Sequence, residues 1–376
     1  MINHIFSRQN LAASSLIFVA LIFMGAANYG KVRSQTDHNA KTEFPETGLN
    51  QPKDSLANSV FSSSGTPIKL FKSVIVDNDN TKWFLTEQGI ISFNGEKWTL
   101  HDKNKKVPTQ DLKSFALEVN TYGQDLWIAS PKGATVATIP VDGRTGATTY
   151  HTENTPILTN NVLQVAIGKS PMRWFGTTKG ISAFSQDKWL KGDYEELYPE
   201  GLFEDYPITA MAASLGGDSL YIATDGAGVA RVRRNDVDGI TGASVYAQWG
   251  PILLPSDKVY SVLITTNNTQ WFGTEKGLAR HIGGNTLANW TVFSTKDGLP
   301  DNFVQAIAAG SNSQIWIGTK GGASLYDGAK WTAFTKVDGL NSNNIRCITV
   351  DKSGVVWFGT DDGVTSYKDQ KFTNYR

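Results

Sequence analysis

A single cysteine, Cys347, serves a chain of 376 residues, so no intramolecular disulfide can form and packing must hold the fold together. It lies in the apolar run Ile345-Arg346-Cys347-Ile348-Thr349-Val350, which reads as the setting of a buried, inert thiol. An excess of one charge is missing too. Lysine plus arginine number 35, as do aspartate plus glutamate, so the formal net charge is zero. That balance provides no global field toward nucleic acid, an anionic membrane or an acidic partner. Histidine is scarce. His101, His151 and His281 stand singly, without a second ligand at metal spacing and without a Ser-His-Asp order. No glycine-rich phosphate loop opens a helix. The sequence therefore names no catalytic residue and no metal ligand, and no cofactor follows from these absences.

Long apolar runs are also absent, with one exception at the N-terminus. Residues 1–30 combine a short polar start containing Arg8, an apolar stretch from Leu11 to Ala27, and the small residues Gly25-Ala26-Ala27. This is the pattern of a secretory signal peptide. The stretch also matches a minimal membrane span, so an uncleaved N-terminal anchor is the alternative. No cysteine follows it, which excludes a lipoprotein anchor. Either reading makes the protein periplasmic or secreted, with the membrane reached only through this segment. Residues 31–66 are polar and poor in aromatics, with too little apolar surface to offset ordering entropy, and read as a disordered tether.

What the sequence has in quantity is repetition. Trp271-Phe272-Gly273-Thr274 returns as Trp316-Ile317-Gly318-Thr319, Trp357-Phe358-Gly359-Thr360 and Trp174-Phe175-Gly176-Thr177. Looser copies begin at Trp83, Trp127 and Tyr221, and successive anchors lie 41 to 50 residues apart. A sustained period of that length marks a repeat architecture. The unit Asp297–Phe334 resolves into four short strands. They are Phe303–Ala308, Ile315–Thr319, Ala323–Tyr326 and Lys330–Phe334, separated by the turn signals Asn312-Ser313, Lys320-Gly321-Gly322 and Asp327-Gly328. A lone four-stranded sheet cannot bury both faces, but sheets stacked radially cover one another. Residues 67–376 are accordingly expected to form an all-β, seven-bladed β-propeller of four-stranded antiparallel blades. Its final strand, Lys371 to Tyr375, makes the last blade complete on its own, while residues near 60–68 offer a candidate sealing strand.

The units resemble the two-component regulator propeller repeat. They share its Gly-Leu-…-Asn lead-in, its Trp-Ile/Phe-Gly-Thr strand, its Gly-Leu/Val-…-Tyr strand and its closing tryptophan. The resemblance implies the periplasmic sensor propeller of a hybrid histidine kinase. Here it is expected as a stand-alone exported propeller whose partner is an unknown ligand or an envelope protein such as a membrane sensor kinase.

Eleven tryptophans raise the prospect of saccharide stacking. However, Trp83, Trp127, Trp174, Trp271, Trp316 and Trp357 recur at one strand position, and Trp98, Trp189, Trp249, Trp290 and Trp331 lie near fourth strands. Recurrence at one position is what filling a blade interface requires. Ligand contacts are expected instead on the face bearing the strand-two-to-three turns and the lead-in loops, since loops on a rigid scaffold carry function. The candidate rim residues are Lys132, Lys179, Asp225, Glu275, Lys276, Lys320, Asp361 and Asp362, with Asn161, Asn302 and Asn344 from the lead-ins and Glu87 and Gln88 from the first blade. Asp77-Asn78-Asp79-Asn80 resembles part of a calcium loop but lacks the later carboxylate, so it reads as a turn.

Two longer segments exceed the repeat. Val141–Thr148 and Val237–Ser244 are each expected as a loop between strands three and four. Both resemble the attachment motif Asp-x-x-Ser/Thr-Gly-Ala-Thr/Ser of exported proteins that carry covalent FMN, which would make Thr148 and Ser244 the phosphoester acceptors. Asp-Gly and Thr-Gly are equally ordinary turn dipeptides. The expected function is that of a non-enzymatic, sensor-like binding module, with a periplasmic FMN electron carrier and a propeller hydrolase or lyase as the alternatives.

Overall fold

The computed structural model describes residues 68–376, apart from 102–107, 121–122, 140–145, 169–171, 186–187, 191–201, 218, 236–238, 247–253 and 284–285. The expectations for 1–30 and 31–66 lie outside the described residues. Within them the protein is a seven-bladed β-propeller. Seven sheets of four antiparallel strands are each built from consecutive strands. Among the described residues helix is confined to the turns Leu202–Asp205, Leu287–Asn289 and Lys336–Asp338.

The first strands are Ser73–Val76, Ser114–Asn120, Val162–Ile167, Ile208–Ala213, Val259–Ile264, Val304–Ala309 and Ile345–Val350. They lie side by side around the axis. The second strands are Lys82–Thr86, Gly123–Ser130, Arg173–Thr177, Ser219–Thr224, Gln270–Thr274, Ile315–Thr319 and Val356–Thr360. Each carries the repeated aromatic. The six second-strand tryptophans are only 2–4% exposed, and Tyr221 is fully buried. Each joins a separate apolar cluster that spans two neighbouring blades, for example Trp316 with Phe358 and Trp127 with Phe175. Burying ~200 Å² of aromatic side chain is worth roughly 5 kcal/mol at most. The tryptophans are therefore packing residues.

The hydroxyl that closes the repeated motif has its own task. In every blade it donates to the carbonyl of a glycine three or four residues on, from Thr86 to Gly89 at 2.9 Å round to Thr360 to Gly363 at 2.9 Å, with Ser130 as the variant in blade two. It thereby staples the turn between strands two and three. Gly322 in that turn has φ 142°, and a Cβ there would lie 2.3 Å from the Phe334 carbonyl oxygen, so only glycine fits. The glycine before the threonine is needed for closeness between blades. A Cβ on Gly318 would lie 2.7 Å from Cγ2 of Ile345 in the next blade.

Among the described residues the ring closes without a shared sheet, and the candidate sealing strand near 60–68 lies outside them apart from Ile68. Phe71, Phe84 and Phe93 from blade one pack on Cys347, Trp357 and Val364 from blade seven. At one end of this seam the Phe71 amide donates to the Thr360 carbonyl at 3.1 Å. At the other end Lys82 pairs with Asp351 at 3.6 Å, both nearly fully buried, and the Lys82 ammonium lies 5.0 Å from the Trp357 ring centroid. Burial pushes the Cys347 thiol up to about 12, which keeps it neutral and inert. Asp77 also serves a turn. Its Oδ1 accepts the amides of Asp79 and Thr81, and its Oδ2 accepts the Trp83 indole N–H at 2.8 Å.

Candidate functional site

Strand pairing around the axis is irregular at one place that recurs. In blades three to seven the first strand carries one extra residue near its start. Leu163, Thr209, Tyr260, Gln305 and Arg346 are skipped in register with the second strand, whereas blades one and two pair without a break. A bulge takes its residue out of the in-out alternation and re-aims the side chain. Because each bulge sits beside the same threonine of the second strand, the five residues form a ring at one level of the axial opening. It faces the end where the strand-two-to-three turns lie.

Neighbouring blades are linked there by side chains. Gln164 Nε2 donates to the Thr209 carbonyl at 2.8 Å, and Thr209 Oγ1 donates to the Val259 carbonyl. Tyr260 donates its hydroxyl to Asp225 Oδ1 at 3.1 Å and stacks on Phe303 with centroids 4.7 Å apart. Lys320 places its ammonium over the Phe303 ring, 3.6 Å from the centroid. Gln305 Nε2 donates to Asn344 Oδ1 at 2.6 Å and to the Ile345 carbonyl at 3.1 Å. Arg346 differs: its Nε donates to Asp361 in its own blade, and Asn344 donates to the same carboxylate. Burial, with the nearby Asp225 charge second, pushes the Tyr260 phenol up to about 12.

The expected rim residues divide into four groups. Asp225, Lys320, Asp361 and Asn344 take part in this ring. Glu275, Lys276 and Asp362 lie beside it: Glu275 accepts from Ser256 at 3.1 Å and pairs with Lys276 at 3.8 Å, while Asp362 pairs with Lys69 at 3.6 Å and Arg376 at 3.9 Å. Asn302 supports the lead-in loop, its side-chain oxygen accepting the Thr295 amide, as Asn160 and Asn343 do for Thr152 and Lys336. Asn161 immediately precedes the first strand Val162–Ile167, and its carbonyl accepts the Thr178 amide. Lys132 and Lys179 have exposed side chains in the strand-two-to-three turns of blades two and three, and Lys132 lines a 210 Å³ cleft with Pro108 and Asp111. Sequence reasoning missed Thr209, Tyr260, Phe303, Gln305 and Arg346. Spacing such as Ile345-Arg346-Cys347 looks like plain alternation, so no local signal betrays the bulge.

A family model for the two component regulator propeller matches residues 298–321 and 339–362. Two of the chain's repeats, those running into the second strands of blades six and seven, match this family's propeller repeat. No curated protein matches the chain by sequence. Among solved structures it superposes on the extracellular domain of a B. thetaiotaomicron protein described as a hybrid two component system, with TM-score 0.62 and 18% identity over 82% of this chain and 40% of that one. It therefore spans about two-fifths of that protein's length. A streptogramin B lyase superposes with TM-score 0.60 and 16% identity over 84% of this chain and 96% of the lyase. A catalytically inactive histidine-to-alanine virginiamycin B lyase from Staphylococcus aureus, with quinupristin, gives TM-score 0.56 and 15% identity over 82% and 97%. At these identities the likeness is one of fold.

The histidines of this repeat propeller lie far out on their blades. His101 is buried in the fourth strand Trp98–His101, with Nε2 2.9 Å from Ser92 Oγ. His281 ends the third strand Gly277–His281, with Nδ1 2.6 Å from Gln270 Oε1, and stacks on Trp290. His151 follows the fourth strand of blade two. Thr148 and Ser244 require a correction to the loop expectation. Residues 141–145 and 237–238 lie outside the described residues, but Ala147–Tyr150 and Gly239–Tyr246 are fourth strands. Thr148 pairs with Val136 and Ser244 with Arg231. In blade four the third strand Val229–Asn235 pairs along its whole length, to Asn235 with Gly239, so the hairpin extends where a loop was expected; in blade two the pairing runs only from Ala134 with Tyr150 to Ala137 with Ala147. At the opposite end of the axis a cavity of about 630 Å³ is lined by apolar first-strand residues such as Ile75, Leu117, Ile167 and Met211, with Lys352 beside them.

Proposed function

We propose that this propeller is a non-enzymatic recognition domain that binds a ligand or partner at the ring-bearing mouth. The observation that carries this reading is the run of five bulged first strands. They gather a hydroxyl, an aromatic pair, an amide and a guanidinium on one face, the usual makings of a specific binding site. Such variety is not needed for packing, because Trp-x-Gly-Thr already supplies that in every blade. The placement of His101, His151 and His281 outward on their blades supports binding over a lyase role, since the S. aureus lyase is described as inactive when one histidine becomes alanine. Export is supported by the superposed B. thetaiotaomicron structure, which is an extracellular domain.

Position-specific photo-crosslinking tests the reading. A crosslinking residue at position 260, at the mouth, should capture a partner in the cell envelope, and one at position 352, at the opposite end, should not. Capture from position 352 alone, or from neither with the protein folded, refutes it.

A further inference from the structure

Each bulge residue except Arg346 is either apolar or engaged with a neighbouring blade. Leu163 packs into the apolar cluster between blades three and four. Thr209, Tyr260 and Gln305 each donate to a residue of an adjacent blade. Blade one has no bulge and offers Arg346 no equivalent partner. Arg346 turns back to Asp361 and uses only Nε, so both of its Nη groups are without a partner among the described residues. The side chain is one-third exposed.

A guanidinium gripped through Nε is held in one orientation with its Nη edge presented. Further support comes from the charges around it. Lys69 and Arg376 meet at Asp362, next to Asp361, so three cations face two carboxylates on this turn. The Tyr260–Phe303 stack and Lys320 stand on the two preceding blades, providing an apolar wall and another cation.

We infer that Arg346 is the anchor of a carboxylate subsite at the mouth, taking a ligand carboxylate on its Nη edge while Asp361 and Asn344 hold it in place. The inference rests on the mouth-binding reading and gives it a chemistry. Arginine suits the task because its planar fork matches a carboxylate in two parallel hydrogen bonds. Lysine keeps the charge but not the fork.

The test uses benzoate and its neutral isostere benzamide as probes of the mature protein, read by saturation-transfer NMR and calorimetry. Benzoate should bind and benzamide should not. Arg346→Gln should weaken benzoate by roughly tenfold or more, and Arg346→Lys should fall between. Asp361→Asn, which frees the guanidinium to move, should also weaken benzoate, with a melting curve to show that the fold persists. If benzoate fails to bind, or binds Arg346→Gln and wild type equally, the subsite is wrong. A partner captured from position 260 that is recovered equally by Arg346→Gln would leave the mouth reading intact and remove only the carboxylate.

Discussion

The seam between blades one and seven is held by a buried ion pair, and breaking it should loosen the whole ring. Lys82 and Asp351 have side chains 4% and 2% exposed, with 3.6 Å between ammonium and carboxylate. Asp351 has three other donors: the amides of Ser353 and Val355 and the Trp357 indole, at 2.9, 3.0 and 3.0 Å. Lys82 has one other acceptor, the Asn80 carbonyl at 2.8 Å, and the faces of Phe93 and Trp357. The two halves are therefore unequal. Lys82→Met keeps the apolar stem and leaves a carboxylate still bound by three donors, and should cost about 2 kcal/mol. Asp351→Ala strands a buried ammonium and three N–H groups, and should cost about 4 kcal/mol. The double variant should cost at least about 1 kcal/mol less than the two singles together, because each single already forfeits the shared attraction. Equilibrium urea unfolding followed by tryptophan fluorescence measures all three, and Trp357 reports from the seam itself. If Asp351→Ala lies within about 0.5 kcal/mol of wild type, the seam is not locked by this pair and its closure rests on the apolar cluster alone.

Gly318→Ala should lower stability by about 1–3 kcal/mol in a thermal melt, because the new Cβ lies 2.7 Å from Ile345 and 3.0 Å from Ile348 across the blade interface. The exposed turn position Gly328, with nothing within 4 Å of a Cβ, should lose only the strain of its φ of 102°. Tyr260 should stay protonated to about pH 12 in an ultraviolet titration, and Tyr260→Phe should remove that transition. Its folded value lies above the unfolded one near 10, so its stabilising contribution is whole below pH 10 and is lost as pH rises toward 12. The exported protein from cells containing a flavin transferase should show no added flavin mass, since Thr148 and Ser244 lie in paired fourth strands; a flavin adduct at either residue overturns this.

The architecture was legible because the interface requirement is the same in every blade. A tryptophan at each junction, a glycine where the next blade presses in and a hydroxyl on the turn all repeat at one period, and periodicity survives without any knowledge of tertiary contacts. Ile315–Thr319 and Ala323–Tyr326 came out with the expected bounds. The site was less legible. Asp225, Lys320, Asp361 and Asn344 were within reach because they sit on turns whose face follows from topology. Tyr260 and Arg346 were not, because a bulge is a property of two strands together and leaves Val259-Tyr260-Ser261 looking like ordinary alternation. The segment Val237–Ser244 was misread for a related reason, its residues from Gly239 on being paired strand, while of Val141–Thr148 only the end from Ala147 is described as strand. Asp-Gly and Thr-Gly signal turns locally, but whether the chain turns there depends on how far the preceding strand continues to offer a pairing edge.

The same physics explains why recognition can differ among propellers that share these repeats. A residue in regular register on a first strand points toward one blade interface or the other, so its size is fixed by neighbours packed at crystal-like density. The bulge residue is less tightly bound by that constraint: its backbone position is set by the pairing on either side, and of the five only Leu163 packs into an apolar interface cluster. Leucine, threonine, tyrosine, glutamine and arginine all occupy it in this one chain without disturbing the Val/Ile at the preceding position, which stays fully or nearly fully buried in all five blades. A position that accepts five such different side chains does not have its size fixed by the core, and so it can be chosen for what it touches from solution. In blade seven that choice is an arginine gripped by Asp361, on a turn whose other carboxylate, Asp362, meets Lys69 just before blade one and Arg376 just after the last strand. An occupant of the mouth that pulled on Arg346 would therefore act on the turn where the two ends of the propeller meet.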